Sequence, residues 1–232
     1  MPEPVLSESV TDIDGSRAGE LEVDLTGFGG HGGDAHLWQG TLEVETRVTD
    51  HLGLAVEFGY SWASTPESGP GLRVAASWSL LHNFEIGLHG QVELSARFVG
   101  QVENGPNLGD SRLPFSGAFR LGLDRQWWTL RLGVGAATGG APSAHAIPAF
   151  ASVTVFLNFG EGRWCSLGLD SLADWTRPNP FTVAPTLLLN GNPIHLPWKI
   201  GVVALYGPSG GGQPSWFGLV VRLIGDFDFA KD

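Results

Sequence analysis

Glu43, Glu45 and Arg47 occupy every second position of TLEVETR, and Glu85, His89, Glu93 and Arg97 share one parity in FEIGLHGQVELSARF. Carboxylates and guanidinium groups at that spacing form charge-assisted bridges, bidentate where the geometry allows. His89, set between two glutamates, is the residue type that could hold a proton or a cation. The simpler reading, which we favour, is a histidine satisfied inside a charge network. Asp170 and Asp174 are paired acids with no evident histidine partner, and acid–histidine hydrolysis needs one. GGHGGD could cradle an anion or hold a metal weakly, although a mobile loop explains it more simply. Cys165 is alone, which excludes an internal disulfide and a zinc site built on several thiolates. No catalytic group, cofactor or metal ligand is assigned.

The elements carrying these residues read as strands. In His36–Trp62, Trp38, Leu42, Val44 and Val48 fall on one face, opposite Gln39, Thr41, Glu43, Glu45 and Arg47. After a polar turn, Leu52, Leu54, Val56, Phe58, Tyr60 and Trp62 alternate with Gly53, Ala55, Glu57, Gly59 and Ser61. Successive strand side chains point to opposite faces, so this is a long hairpin with one apolar and one polar side.

The pattern repeats along the chain. Residues 1–16 read as a flexible acidic tail and 17–232 as a single domain of twelve strands, each of about 10 to 14 residues. The first strand runs over about Arg17–Phe28, and Gly29–Ala35 is expected to be a flexible loop. The fourth is expected over Leu72–Leu81, with His82–Asn83 as its turn and the fifth over Phe84–Phe98. Connections are expected to be long and Gly/Pro-rich after odd strands and short after even ones. Pro185 falls mid-strand, where it removes a ladder donor, and a bulge or a shortened strand is expected there.

Composition says what solvent each face meets. The chain of 232 residues holds 34 Gly, 9 Trp and 13 Phe, and its lysines are Lys199 and Lys231 alone. A sheet face in water normally carries many lysines. The net charge of −11, with no basic stripe, argues against nucleic acid. No apolar run approaches the roughly 20 residues of a spanning helix, which leaves a barrel of short, half-apolar strands open. No charged side chain falls on the apolar face of any strand. The polar face instead interleaves small residues with Glu43, Glu45, Arg47, Glu57, Arg73, Glu85, His89, Glu93, Arg97, Arg120, Arg131, Asp170, Asp174, Lys199 and Arg222. These are the expected lumen-lining residues. Aromatic residues gather at both strand ends, as at the two interfaces of a bilayer. The expected fold is therefore all-β, a 12-stranded antiparallel up-and-down transmembrane β-barrel with short periplasmic turns and longer extracellular loops. A water-soluble sandwich or lipocalin-like barrel with its faces reversed explains the alternation equally well, but not the missing lysines.

Three stretches carry a resemblance: VETRVTDHLGLAVEFGYSW, PFSGAFRLGLDRQWWTLRLGVGA, and TLLLNGNPIHLPWKIGVVALYG with SWFGLVVRLIGDFDF. They resemble bacterial outer-membrane barrels, loosely the transporters grouped with phenol meta-pathway proteins. The resemblance implies an outer-membrane location and passive transport of small, even apolar, molecules. The chain departs from the commonest ending of that class, since Phe229 is followed by Ala-Lys-Asp. Lipid or detergent around the apolar belt and small solutes inside are the expected partners, with a protein partner at the long loops as a further option. Two rival functions stay open: a structural or partner-binding barrel with a plugged lumen, and a lipid-modifying enzyme.

Overall fold

A computed structural model describes residues 18–33, 35–63, 69–83, 85–99, 115–137, 149–160, 163–175, 181–191, 196–209 and 215–228. The expected tail over 1–16 and most of the longer connections lie outside the described residues. Twelve strands form: β1 (Glu20–Gly32), β2 (Ala35–Thr49), β3 (Leu52–Ala63), β4 (Gly69–Asn83), β5 (Leu88–Val99), β6 (Phe115–Asp124), β7 (Trp128–Ala137), β8 (Ala149–Phe159), β9 (Cys165–Asp174), β10 (Phe181–Asn190), β11 (Trp198–Gly207) and β12 (Trp216–Asp228). Each pairs antiparallel with its sequence neighbours, and β1 pairs with β12 from Glu20↔Asp228 to Gly32↔Trp216. The sheet is thereby a closed barrel. Closure leaves no strand edge, so every strand's ladder has a partner on both sides.

The apolar face points outward. Leu54, Val56, Phe58 and Tyr60 are all exposed along β3, while the alternate Glu57 and Gly59 are partly covered. Trp38 is 64 % exposed at one end of the belt and Trp127 63 % at the other. Such a continuous apolar surface would be a severe liability in water and is what a hydrocarbon layer requires. Trp38, Tyr60, Trp62, Phe115, Phe181, Tyr206 and Phe217 ring the long-loop end. Trp128 and Phe159 lie exposed at the other end, where Trp198 stacks edge-on against Phe227. Val56, paired between Val44 and Val74 at mid-belt, tests this orientation. Val56→Arg should cost about 2–4 kcal/mol in urea unfolding from lipid vesicles, the depth-dependent cost of a charge facing lipid. A change near zero would reverse the faces.

Four expectations are corrected. Gly29–Ala35 is not a loop: Gly29–Gly32 and Ala35 are strand, and Gly33 sits in a turn between them at φ 59°. The first connection after an odd strand is thus short. Its glycines are compatible with strand because β2 and β12 satisfy the backbone on both sides.

The β4–β5 turn is also displaced. β4 continues through His82 to Asn83, with a register shift between Ser79 and Leu81, and residues 85–87 lie in the turn. Gly87 takes φ +58° there, and a Cβ on it would collide with the Asp124 carbonyl. Asp124 in turn donates its backbone N–H to Gly87 O at 2.8 Å. Only glycine fits both demands.

At Pro185 there is neither bulge nor shortening. β10 pairs without interruption against β9, including Pro185↔Leu169. Against β11 the ladder passes from Val183↔Tyr206 to Thr186↔Val203 in unchanged register, with no pair at Ala184 or Pro185. The missing donor opens a local gap without shifting the strand.

Candidate functional site: the barrel interior

Inward residues sort into two walls. On β3–β6, side chains of opposite charge alternate across neighbouring strands in the order Glu57, Arg73, Glu93 and Arg120, because same-face neighbours lie close enough to pair. Arg73 on β4 is the hub. Its Nη1 donates to Glu57 Oε2 at 3.3 Å and lies 3.8 Å from Glu43 Oε1, and its Nη2 donates to Glu93 Oε1. Glu93 also accepts from Arg120 Nη1 at 2.8 Å. Nearer the short turns, Arg47 Nη1 donates to Ser77 Oγ at 3.4 Å and its Nη2 sits 3.6 Å from Glu45. One network thus spans five strands, β2 to β6, and three guanidinium groups face four carboxylates within it.

A second cluster lies at the short-turn end. Asp124 accepts from Thr129 Oγ1 at 2.9 Å and from Arg131 Nη1 at 3.1 Å, with His89 Nε2 at 3.5 Å and Arg163 Nη1 at 4.0 Å. Asn158 Nδ2 donates to Thr129 Oγ1, and Ser166 Oγ donates to Asn158 Oδ1, which extends the chain to β9. His89 is therefore tied to Asp124 from β6. Further round, Thr154 Oγ1 donates to the buried Asp170 at 2.8 Å, and Lys199 Nζ lies 2.9 Å from Asp226. Arg222 pairs with Asp24, both almost wholly buried, and Thr26 Oγ1 donates to the same carboxylate at 3.0 Å.

The expected lumen residues thus divide by position. Glu43, Glu45, Arg47, Glu57, Arg73, Glu93 and Arg120 come together in one network, with His89 and Arg131 in the Asp124 cluster. Asp170, Lys199 and Arg222 lie on β9, β11 and β12. Glu85 does not face the interior: it lies exposed in the β4–β5 turn, because β5 begins at Leu88 rather than Phe84. Arg97 and Asp174 have their backbones in β5 and β9, and their side chains are outside the described residues.

The other wall was not foreseen. Phe28, Leu37, Leu172, Ala184, Val203, Leu205 and Val220 point inward and pack on one another, with Phe150 and Trp216 against them. Each of those seven is at most 3 % exposed. They fill the long-loop half of the interior along β9–β12, β1 and β2. Opposite them, the inward positions at the same level are small: Gly59, Ser61, Gly71, Ser95, Ser116 and Ala118. These are only partly covered, and Ser95 and Ser116 share a hydrogen bond of 2.6 Å. The signal for the packed wall was in the sequence. LYG-preceding VVA in β11 and LVV in β12 are apolar on both parities, the mark of a strand covered on both faces.

No family model matches the chain, and no curated protein matches it. Solved structures do. An outer-membrane channel from Pseudomonas putida F1 is similar at 13 % identity and TM-score 0.61, covering 94 % of this chain and 100 % of that one. The KdgM porin in complex with disordered oligogalacturonate is similar at 12 % identity and TM-score 0.59, covering 89 % and 99 %. The NanC porin is similar at 8 % identity and TM-score 0.58, covering 87 % and 98 %. The fold is that of bacterial outer-membrane barrels. The finer grouping with phenol meta-pathway proteins has no support in these likenesses.

Proposed function

We propose that the protein is a narrow channel of the bacterial outer membrane for passive passage of small solutes. The observation that carries the reading is the division of the interior. A half-open wall of Gly, Ala and Ser on β3–β6 faces a wall of packed apolar side chains. Solutes entering from the long loops would follow the small-residue wall and then meet the Arg73 network, which is the constriction. Filling by side chains decides whether a barrel of this size conducts, and here the apolar cluster fills one side of the long-loop half. Within the Arg73 network carboxylates outnumber guanidinium groups, so its field favours cations modestly. Two of the similar structures are porins, which is consistent with this reading.

Planar-bilayer recording of the refolded protein is the test. Discrete steps with weak cation preference are expected, and absence of current or anion preference would overturn the proposal. Ala118, paired with Glu93 and Gly135 on the small-residue wall, locates the path. Ala118→Trp should reduce the unitary current by about half or more, because a ring fills the space that an alanine leaves. The same recording on Val203→Leu, on the packed wall, should show little change.

A further inference from the structure

We propose that His31 and His36 form a two-imidazole site for a transition-metal ion on the outer rim of the β1–β2 hairpin. The two residues are direct cross-strand partners. Their rings stack with centroids 4.7 Å apart and planes inclined by 24°. Both side chains are exposed at the long-loop end of the barrel, beyond Trp38. The backbone beneath them is held by pairing: β12 pairs with β1 through His31↔Phe217 and Gly32↔Trp216, and the inward Leu37 is buried beside them in sequence.

Neutral imidazole offers one unprotonated ring nitrogen as a ligand, at about 2.0–2.1 Å from a zinc-sized ion. Rings already stacked on adjacent strands bring two such nitrogens to one ion by side-chain rotation alone, with the strands left in register. This preorganisation removes much of the ordering cost of binding. Imidazole pairs favour Cu²⁺, Ni²⁺ and Zn²⁺ over Mg²⁺ or Ca²⁺, which prefer oxygen. Among the described residues no group of three or more His, Cys, Asp or Glu could hold an ion, so water would complete the coordination. An ion bridging β1 to β2 at this position would also hold the tight turn shut, since a ligand that binds only the closed hairpin stabilises it by mass action.

The experiment is Cu²⁺ titration of the full chain refolded in detergent, followed by electron paramagnetic resonance. The first equivalent should show coupling to two equatorial nitrogens. His31→Ala and His36→Ala should each weaken that first binding step by about tenfold or more and leave one coupled nitrogen, because the second imidazole acts at high effective concentration. Wild-type affinity retained in either variant, or one coupled nitrogen in the unaltered protein, would overturn the site. A band that shifts on boiling reports that each variant has folded, and His36→Gln replaces any alanine variant that lacks it.

Discussion

Arg73→Ala is expected to widen the passage and weaken the barrel together. The guanidinium holds Glu43, Glu57 and Glu93 from three other strands, and its own side chain is 8 % exposed. Without it, three carboxylates face one another across the interior with Arg120 left as the cation on Glu93. Unitary conductance should rise by about twofold or more and the reversal potential should move toward stronger cation preference, since both bulk and positive charge leave the constriction. Stability should fall at the same time, by about 3 kcal/mol in urea unfolding from vesicles, because like charges are left partly buried and unpaired. Arg73→Lys should recover the charge but not the several-strand span, as a single ammonium cannot bridge the same carboxylates. Conductance unchanged in Arg73→Ala would place the constriction elsewhere.

The second large effect is expected at Arg222. Its partner Asp24 lies on β1, two residues from its direct register partner Thr26, so this contact ties the strands that close the barrel. Arg222 is 2 % exposed and Asp24 3 %, which makes this a buried pair rather than one in open water. Arg222→Met should destabilise by about 3–5 kcal/mol, because the Asp24 carboxylate keeps its burial and loses a counter-charge. Arg222→Met with Asp24→Leu should return most of that loss, since two apolar groups of similar volume carry no desolvation penalty. A double-mutant cycle on urea midpoints gives the coupling directly. A single-variant loss below about 1 kcal/mol would mean that the pair behaves as a surface bridge, and hence that water reaches it.

Much of this molecule was legible from the chain. The strand count followed from period-two alternation, as in Leu52–Trp62, because a sheet with two different solvents needs one apolar and one polar face. Outward orientation followed from the absence of charge on the apolar parity together with the two lysines. Turn positions were less legible. Ile86 continues the alternation of β5 by parity, yet the chain turns there, because Gly87 supplies the positive φ and the Asp124 contact that a turn can use. That displacement is what moved Glu85 out of the interior. GGHGGDA reads as a loop by composition, and only pairing from β2 and β12 makes Gly29–Gly32 strand.

The sequence by itself determined an all-β chain with an apolar outer face and charges held on the inner parity, since those depend only on side-chain alternation. The tertiary structure decided which charges meet. Arg73 reaches Glu43 and Glu93, 30 and 20 residues apart from it in either direction along different strands, only because closure sets the registers of β2, β4 and β5. It also decided that one half of the interior is packed and the other half-open. Parity says that Leu205 and Ser95 both face inward, but the curvature that brings Leu205 against Phe28 and Val220 is a property of the closed ring, not of any strand.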